Sequence, residues 1–331
     1  MKKILIMIMS CNKDNFFIQE EEIVRQTWLK DVIDNKYENI DYVIYRGDES
    51  LEKHSYNKEN HILNIRVEDD YDHTFKKTYY AFKLVDKIFK DYDYIIKTNT
   101  STYINIELAN QFIQNIENDS VLYGSEIYSL SNLACPYPLD LYARGNCMII
   151  SKYLKDIILK NGIMFLYNII PNIPDDSIMC NVLNSYWIKN NENYLDHICG
   201  ISHGWYNCIN KDLEFNHKLC KFGNQNKDWN FVNKFISIQV KKYHQDRLPE
   251  FDALKELDEV FKKNKYTKKQ LEESINKNNE YMKDYSIFIG SLLGYINYED
   301  WKNINKMELY IKQIYNKASD DVAYKKYDKW L

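Results

Sequence analysis

Up to about residue 250 the chain alternates short apolar runs with helical patterning. The runs fall at 4–9, 42–46, 62–67, 94–97, 120–124, 147–150 and 235–240. Between them lie amphipathic stretches, such as Ala81, Leu84, Val85 and Ile88, spaced to form one apolar stripe on a helix. Strands alternating with helices predict an α/β domain whose mostly parallel sheet is covered on both faces. Ligands of such sheets sit beyond the carboxyl ends of the strands. The segment after 4–9 and the Asn99–Thr102 turn both fall there. Further on, Leu254, Leu257 and Phe261 form one helical stripe, and Trp301, Ile304, Met307, Ile311 and Ile314 another, with no Pro after Pro249. The pattern therefore predicts one α/β domain over 1–250 and a helical C-terminal region over 251–331, with Gly290 to Gly294 as a close helix contact or turn. No internal repeat is evident.

Composition narrows the class of protein. A chain of 331 residues, 45% hydrophobic and 15% aromatic, has room for one large domain with a substantial core plus a smaller appendage. The net charge is −4 and the charges are mixed along the chain, with no basic stripe of the kind nucleic-acid binding requires. The seven Cys are scattered, odd in number and without a C-x-x-C pair, which favours reduced thiols in a cytosolic setting over disulfides or a zinc site. Met1-Lys2-Lys3 followed by Ile4 to Met9 imitates a signal peptide. Its apolar core is shorter than the ~7–15 residues such a segment needs, so a buried first strand is expected. No run approaches the ~18 apolar residues of a membrane span. The expectation is a cytoplasmic protein with neither membrane span nor nucleic-acid partner.

Candidate chemistry concentrates at residues 94–105. Tyr94-Ile95-Ile96 breaks into a polar turn and resumes as Tyr103-Ile104-Asn105. Many nucleotide-sugar transferases present metal-binding acids at such a strand end, whereas this turn reads Asn99-Thr100-Ser101. Several ordered patterns around it resemble the β1,3-glycosyltransferases of galactosyl-, N-acetylglucosaminyl- and Fringe type. Ile23-Val24-Arg25-Gln26-Thr27-Trp28 is similar to that family's Ile-Arg-x-Thr-Trp element. In the segment from Asp69 to Thr78, Asp69, Tyr71, Lys77 and Thr78 match Asp-x-Tyr-x-Asn-Leu-Thr-Leu-Lys-Thr. Lys97-Thr98 and Asn105 frame the turn where the family carries three acids. Tyr137-Pro138 and Gly145 to Ser151 resemble its acceptor-side segment, and Pro174-Asp175-Asp176-Ser177 stands where it has Glu-Asp or Asp-Asp.

The resemblance covers roughly residues 1–250. It implies a GT-A fold, a UDP-sugar donor, a glycan or glycoconjugate acceptor, and inversion at the anomeric carbon. Direct displacement there needs a general base for the acceptor hydroxyl and stabilisation of the departing diphosphate. Asp176 is the candidate base and Asp175 the fallback. A helix N-cap with favourable acids in its first turn is the other reading of the same stretch.

Leaving-group stabilisation is where the sequence departs from the resemblance. Mg²⁺ or Mn²⁺ requires oxygen-rich carboxylate ligands, and Asn99, Thr100 and Ser101 supply none. The expectation is therefore no metal cofactor. The family's late His, at a strand end, corresponds to Lys241 after Ile236–Val240, with Lys242, His244 and Arg247 close behind. An ammonium ~4 Å from a phosphate charge is worth about 4 kcal/mol at an effective dielectric near 20, enough to take over part of a metal's role. Lys241-Lys242 as a solvated strand end is the plain alternative.

Other residues carry open readings. Ser10 and Arg25 fall where a nucleotide would bind, although Arg25 could equally lie on a helix surface. Lys77 could point into the pocket or to solvent. Tyr71 could stack on uracil or pack in the core. Arg144 and Gly145 could contact acceptor or phosphate, and His203 could be an acceptor contact or an ordinary loop His. Two rival functions stay open: a catalytically dead relative that binds a nucleotide sugar or glycan, and a metal-dependent transferase whose ligands lie among Asp69, Asp70, Asp72 and His203.

Overall fold

The computed structural model describes residues 1–89, 91–125, 127–129, 141–166, 174–192, 194–201, 203–207, 212–216, 236–240 and 247–262. The chain divides into two compact units, Met1–Asn278 and Asn279–Leu331. All described residues belong to the first. The expected stripe over 301–314, the Gly290–Gly294 patch and Tyr137-Pro138 lie outside them.

The first apolar run forms β1 (Ile4–Met9), buried along almost its whole length. Each fully buried Ile or Leu there contributes about 1.5–3 kcal/mol of transfer free energy, which makes this strand the centre of the sheet. Asp14 then accepts the N–H of Phe16 and starts α1 (Asn15–Gln26), followed by the short α2 (Lys30–Ile33). The chain returns as β2 (Ile40–Gly47), β3 (Ser55–Asn57) and β4 (Ile62–Ile65), then α3 (Thr74–Ile88) and β5 (Tyr94–Asn99). β6 (Thr102–Ile104) leads into α4 (Ile106–Gln114), which is N-capped by the Asn105 side chain. Next come β7 (Leu122–Gly124), β8 (Ile127–Ser129), β9 (Leu141–Ala143) and β10 (Cys147–Ser151). Ser151 caps α5 (Lys152–Asn161), and Pro174 precedes α6 (Asp175–Lys189). β11 (Ile198–Gly200), β12 (His203–Asn207), β13 (Asp212–Asn216), β14 (Ser237–Gln239) and α7 (Pro249–Lys262) complete the unit.

Eight strands make the main sheet, in the order β11-β7-β10-β5-β1-β2-β4-β3. β5, β1, β2 and β4 run parallel, and β10 is antiparallel between β5 and β7. One sheet face, carrying Ile4, Ile6, Ile8, Ile44 and Ile96, packs on α1, α2, α4 and α7, including Leu254 and Leu257. The other carries Met7 and Lys97 and is covered by α3, α5 and α6. The expected parallel α/β sheet with helices on both faces is what forms. A second, four-stranded sheet, β13-β12-β14-β6, flanks the turn that follows β5.

Candidate active site

The parallel strands β1 and β5 end in register, Met9 beside Asn99. Beyond their carboxyl ends lies a cavity of about 460 Å³. Its walls come from the ends of those strands, Phe17 of α1, the 69–77 segment entering α3, the 144–146 turn before β10, the start of α6, and Gln239 with Arg247. The reversed direction of β10 is what brings the 144–146 turn to the same sheet edge. Thr98 seals the junction by donating to the Asn146 carbonyl at 2.7 Å, and the Asn146 amide bonds Gln239.

Two buried ion pairs line this cavity. Lys77 donates to Asp69 at 2.5 Å and to the Ser10 carbonyl at 2.9 Å, and both charged side chains are almost wholly buried. Asp69 also accepts the Asn12 N–H at 2.5 Å, so its carboxylate joins the loop after β1 to α3. Gly47 is required beneath it, because a Cβ there would come within 2.7 Å of the Asp69 Cβ. The second pair is Lys97 with Asp175, 2.9 Å apart and equally enclosed. Asp175 also accepts from the Thr78 hydroxyl at 2.8 Å. Burial opposes the Lys97 charge, yet the neighbouring carboxylates hold its pKa above the ordinary lysine value.

Asp176 is buried beside this pair but is held by neutral donors. Its Oδ2 accepts the Gly145 N–H at 2.6 Å and its Oδ1 the Ser177 N–H at 2.7 Å. Burial first, then the Asp175 charge, pushes its pKa up to about 6, against the pull of Lys97 and the two backbone amides. The helix-start reading of Pro174-Asp175-Asp176 is also correct, since both acids occupy the first turn of α6. The acids lie at a helix end and in the cavity at once. Gly145 makes the close approach feasible, because a Cβ on it would lie 3.0 Å from the Asp176 Cβ and Oδ2.

The Asn99–Ser101 turn is tied inward. Asn99 Oδ1 accepts from the Ser101 and Thr102 hydroxyls at 3.0 and 2.8 Å, and the Thr100 hydroxyl bonds Glu20 beneath the turn. Burial and the nearby Glu250 push the Glu20 carboxyl up to about 8, despite Thr100 and Arg247. An amide and two hydroxyls directed at one another make a poor donor set for a hard divalent ion, which takes carboxylate oxygens. Among the described residues, Glu68, Asp70 and His73 form a group that could hold one, with ligand atoms within 4.8 Å of each other. There His73 bonds Asp70 at 2.7 Å, and its hydrogen bonds hold the Asp70 carboxyl below its usual range although partial burial works the other way. Lys13 pairs with Glu68 at 3.3 Å.

Ser10, Lys77, Asn99, Thr100, Ser101, Arg144, Gly145, Asp175, Asp176 and Arg247 all line the cavity. Arg247 lies over the rings of Phe16 and Phe17, makes a paired contact with Glu250 at 2.9 Å and stands 3.7 Å from Glu20. Arg25 is not among the lining residues; it holds the Asn60 carbonyl and the Tyr42 hydroxyl at 2.6 and 3.0 Å. Tyr71 lies at the rim, more than half exposed, and Trp28 is core. The side chain of His203, and Lys241, Lys242 and His244 entirely, lie outside the described residues. Val240, just before Lys241, donates its N–H to the Ser101 carbonyl at 2.9 Å, so the strand end expected beside the turn is there. Sequence reasoning missed Lys97 and Glu20. A lysine inside an apolar parallel-strand run must be paired, and that signal was available for Lys97. Glu20 sits on an amphipathic helix of ordinary appearance, with no comparable mark.

No family model and no curated protein matches the chain. Among solved structures, a glycosyltransferase involved in the glycosylation of the major capsid of PBCV-1 is similar over 77% of this chain and 99% of its own, at 10% identity and a TM-score of 0.39. At that depth the likeness assigns neither a residue nor a reaction. No helix among the described residues is long and apolar enough to cross a membrane.

Proposed function

We propose that this chain is an inverting glycosyltransferase that moves a sugar from a UDP-sugar to a glycan or glycoconjugate acceptor without a divalent metal. The observation that carries the reading is Asp176: a buried carboxylate facing the cavity at the carboxyl edge of a parallel sheet, held by neutral amides and pushed up to about 6. A general base works best with a pKa near the working pH, and Asp176 meets that condition. Asp175 is already engaged by the Lys97 ammonium and the Thr78 hydroxyl. In the step proposed, Asp176 takes the proton of the acceptor hydroxyl as its oxygen attacks the anomeric carbon. The bond from that carbon to the diphosphate breaks, and its electron pair leaves with the diphosphate.

The inward-tied turn at Asn99–Ser101, which offers no carboxylate, supports the metal-independent reading. Arg247, at the cavity wall but paired with Glu250, would have to shift from that partner to reach the departing diphosphate, and Lys241, Lys242 and His244 are the other proposed cations. The Glu68–Asp70–His73 group favours a second reading, a transferase with displaced metal ligands, because Asp70 lines the same cavity. Calorimetric titration with UDP, followed by a transfer assay with a panel of UDP-sugars, each with Mn²⁺ and with chelator, tests both. Binding and transfer that survive chelation support the first reading. Strong stimulation by Mn²⁺, abolished by Asp70→Ala, supports the second. UDP binding with no transfer under any condition favours a binding protein of the same fold.

A further inference from the structure

Lys97 and Asp175 have no chemical step of their own in the reaction above, yet they are among the most completely buried charges in the chain, at 1% and 6% side-chain exposure. A buried lysine is costly unless paired and hydrogen-bonded. The sheet holds this one at the cavity floor, on the face covered by α3 and α6, two residues before the Asn99–Ser101 turn. We propose that Lys97 is a positioning residue: with Asp175 it forms a fixed charge pair that leaves Asp176 as the carboxylate free to accept a proton from the cavity. This inference rests on the transferase reading of the site.

The geometry divides the two adjacent acids into different roles. Asp175 receives a full cation from Lys97 at 2.9 Å and a hydroxyl from Thr78 at 2.8 Å, and Thr78 is backed by the Tyr45 hydroxyl at 3.1 Å. Among the described residues, Asp176 receives only backbone amide N–H groups. Other charges around Asp176 are already committed. On α3, Lys77 is spent on Asp69, and on α5, Lys155 is spent on Asp86 and Asp156. Burial pushes the Tyr45 phenol and the Cys180 thiol upward, so both stay neutral. Arg144 stands at the cavity wall beside Gly145, and His197 stacks on Trp187 towards the far end of α6. Among the described residues, Asp175 and Lys97 are the charged side chains that act most strongly on Asp176. The two partners act in opposite directions. Asp175 discourages a second negative charge beside it, and Lys97 encourages one.

Opposite signs make the test sharp. The protonated carboxyl stretch of Asp176, assigned by its loss in Asp176→Asn, is followed by infrared titration of the full chain. Asp175→Asn leaves Lys97 facing Asp176 alone and should lower the titration midpoint by about one pH unit or more. Lys97→Met leaves two acids together, and the pair should take up its first proton at higher pH by a similar amount. The acid limb of the transfer rate should move with the infrared midpoint, and Lys97→Arg should restore it. Midpoints that stay fixed, or that move the same way in both variants, would overturn the proposal. Should Lys97→Met not fold, Asp175→Asn, which is nearly isosteric, decides the matter alone. Opposite infrared shifts without sugar transfer by the wild-type chain would support the charge pair while refuting the transferase reading.

Discussion

Asp176→Asn should stabilise this protein at neutral pH while abolishing its activity. The carboxyl titrates near 6 in the folded chain, against an ordinary value of 3.8. That difference of about two units corresponds to about 3 kcal/mol at about 1.4 kcal/mol per unit. The sign follows from linkage. A raised folded pKa means the native state holds the proton more tightly, so this contribution is fully present below about pH 4 and is lost as pH rises through about 6. Above that, wild type carries the cost of a buried negative charge that asparagine lacks. Against this, an asparagine carbonyl can satisfy only one of the two amides, from Gly145 and Ser177, that the carboxylate accepts now. Losing one such bond costs about 1 kcal/mol. The net expectation is a gain of about 2 kcal/mol at pH 7.5, turning to a loss of about 1 kcal/mol near pH 4. Urea denaturation of both proteins at the two pH values measures it directly. Equal destabilisation at both would refute the assignment of Asp176 as a carboxyl strained by its surroundings, whatever the activity assay shows.

The remaining predictions concern neighbouring parts of the site. Gly145→Ala places a methyl 3.0 Å from Asp176; since small displacements of reacting groups can cost roughly 10²-fold, transfer should fall by about that factor with UDP affinity, read by calorimetry, unchanged. Lys77→Met leaves Asp69 buried without its cation and should cost about 3–5 kcal/mol in denaturant melts, whereas a loss under about 1 kcal/mol would mean the Asn12 amide suffices. Glu20→Gln removes a carboxyl that titrates near 8; the folded pKa is again the higher, so the variant should gain stability over wild type as pH rises from about 5 to 9, as thermal melts across that range would reveal.

Much of the architecture was legible because buried parallel strands leave a strong trace. The runs at 4–9, 42–46 and 147–150 became β1, β2 and β10 within a few residues, since strands buried on both faces read as continuous apolar segments. β3 and β13 were not foreseen. Ser55–Asn57 is three residues long and mostly polar, too short to show a period, and Asp212–Asn216 alternates polar and apolar residues over only five positions. At the site, the place of the 99–101 turn followed from the strand pattern, and that of Asp175-Asp176 from motif order. What could not be read was the direction in which each polar group is spent. Thr100 turns down to Glu20, eighty residues earlier in the chain, and Lys97 turns to Asp175. Neither spacing has a periodic signature, because both contacts cross between elements that only the folded sheet brings together.

The antiparallel course of β10 has a consequence for how such a site could change over time. Asp69 and Lys77, at the β1 side of the cavity, belong to the first hundred residues, while Gly145 comes to them through the reversed β10 and Asp175 and Asp176 through α6 packed on α3. The two walls are separately encoded. Exchange of the later segment would change one wall of the cavity and leave the other unaltered, and the buried pairs, Asp69 with Lys77 and Lys97 with Asp175, set the limits of such an exchange. The first is internal to its wall and would survive it intact. The second spans the join, so any replacement segment must bring a carboxylate for Lys97 or leave a stranded cation at the floor.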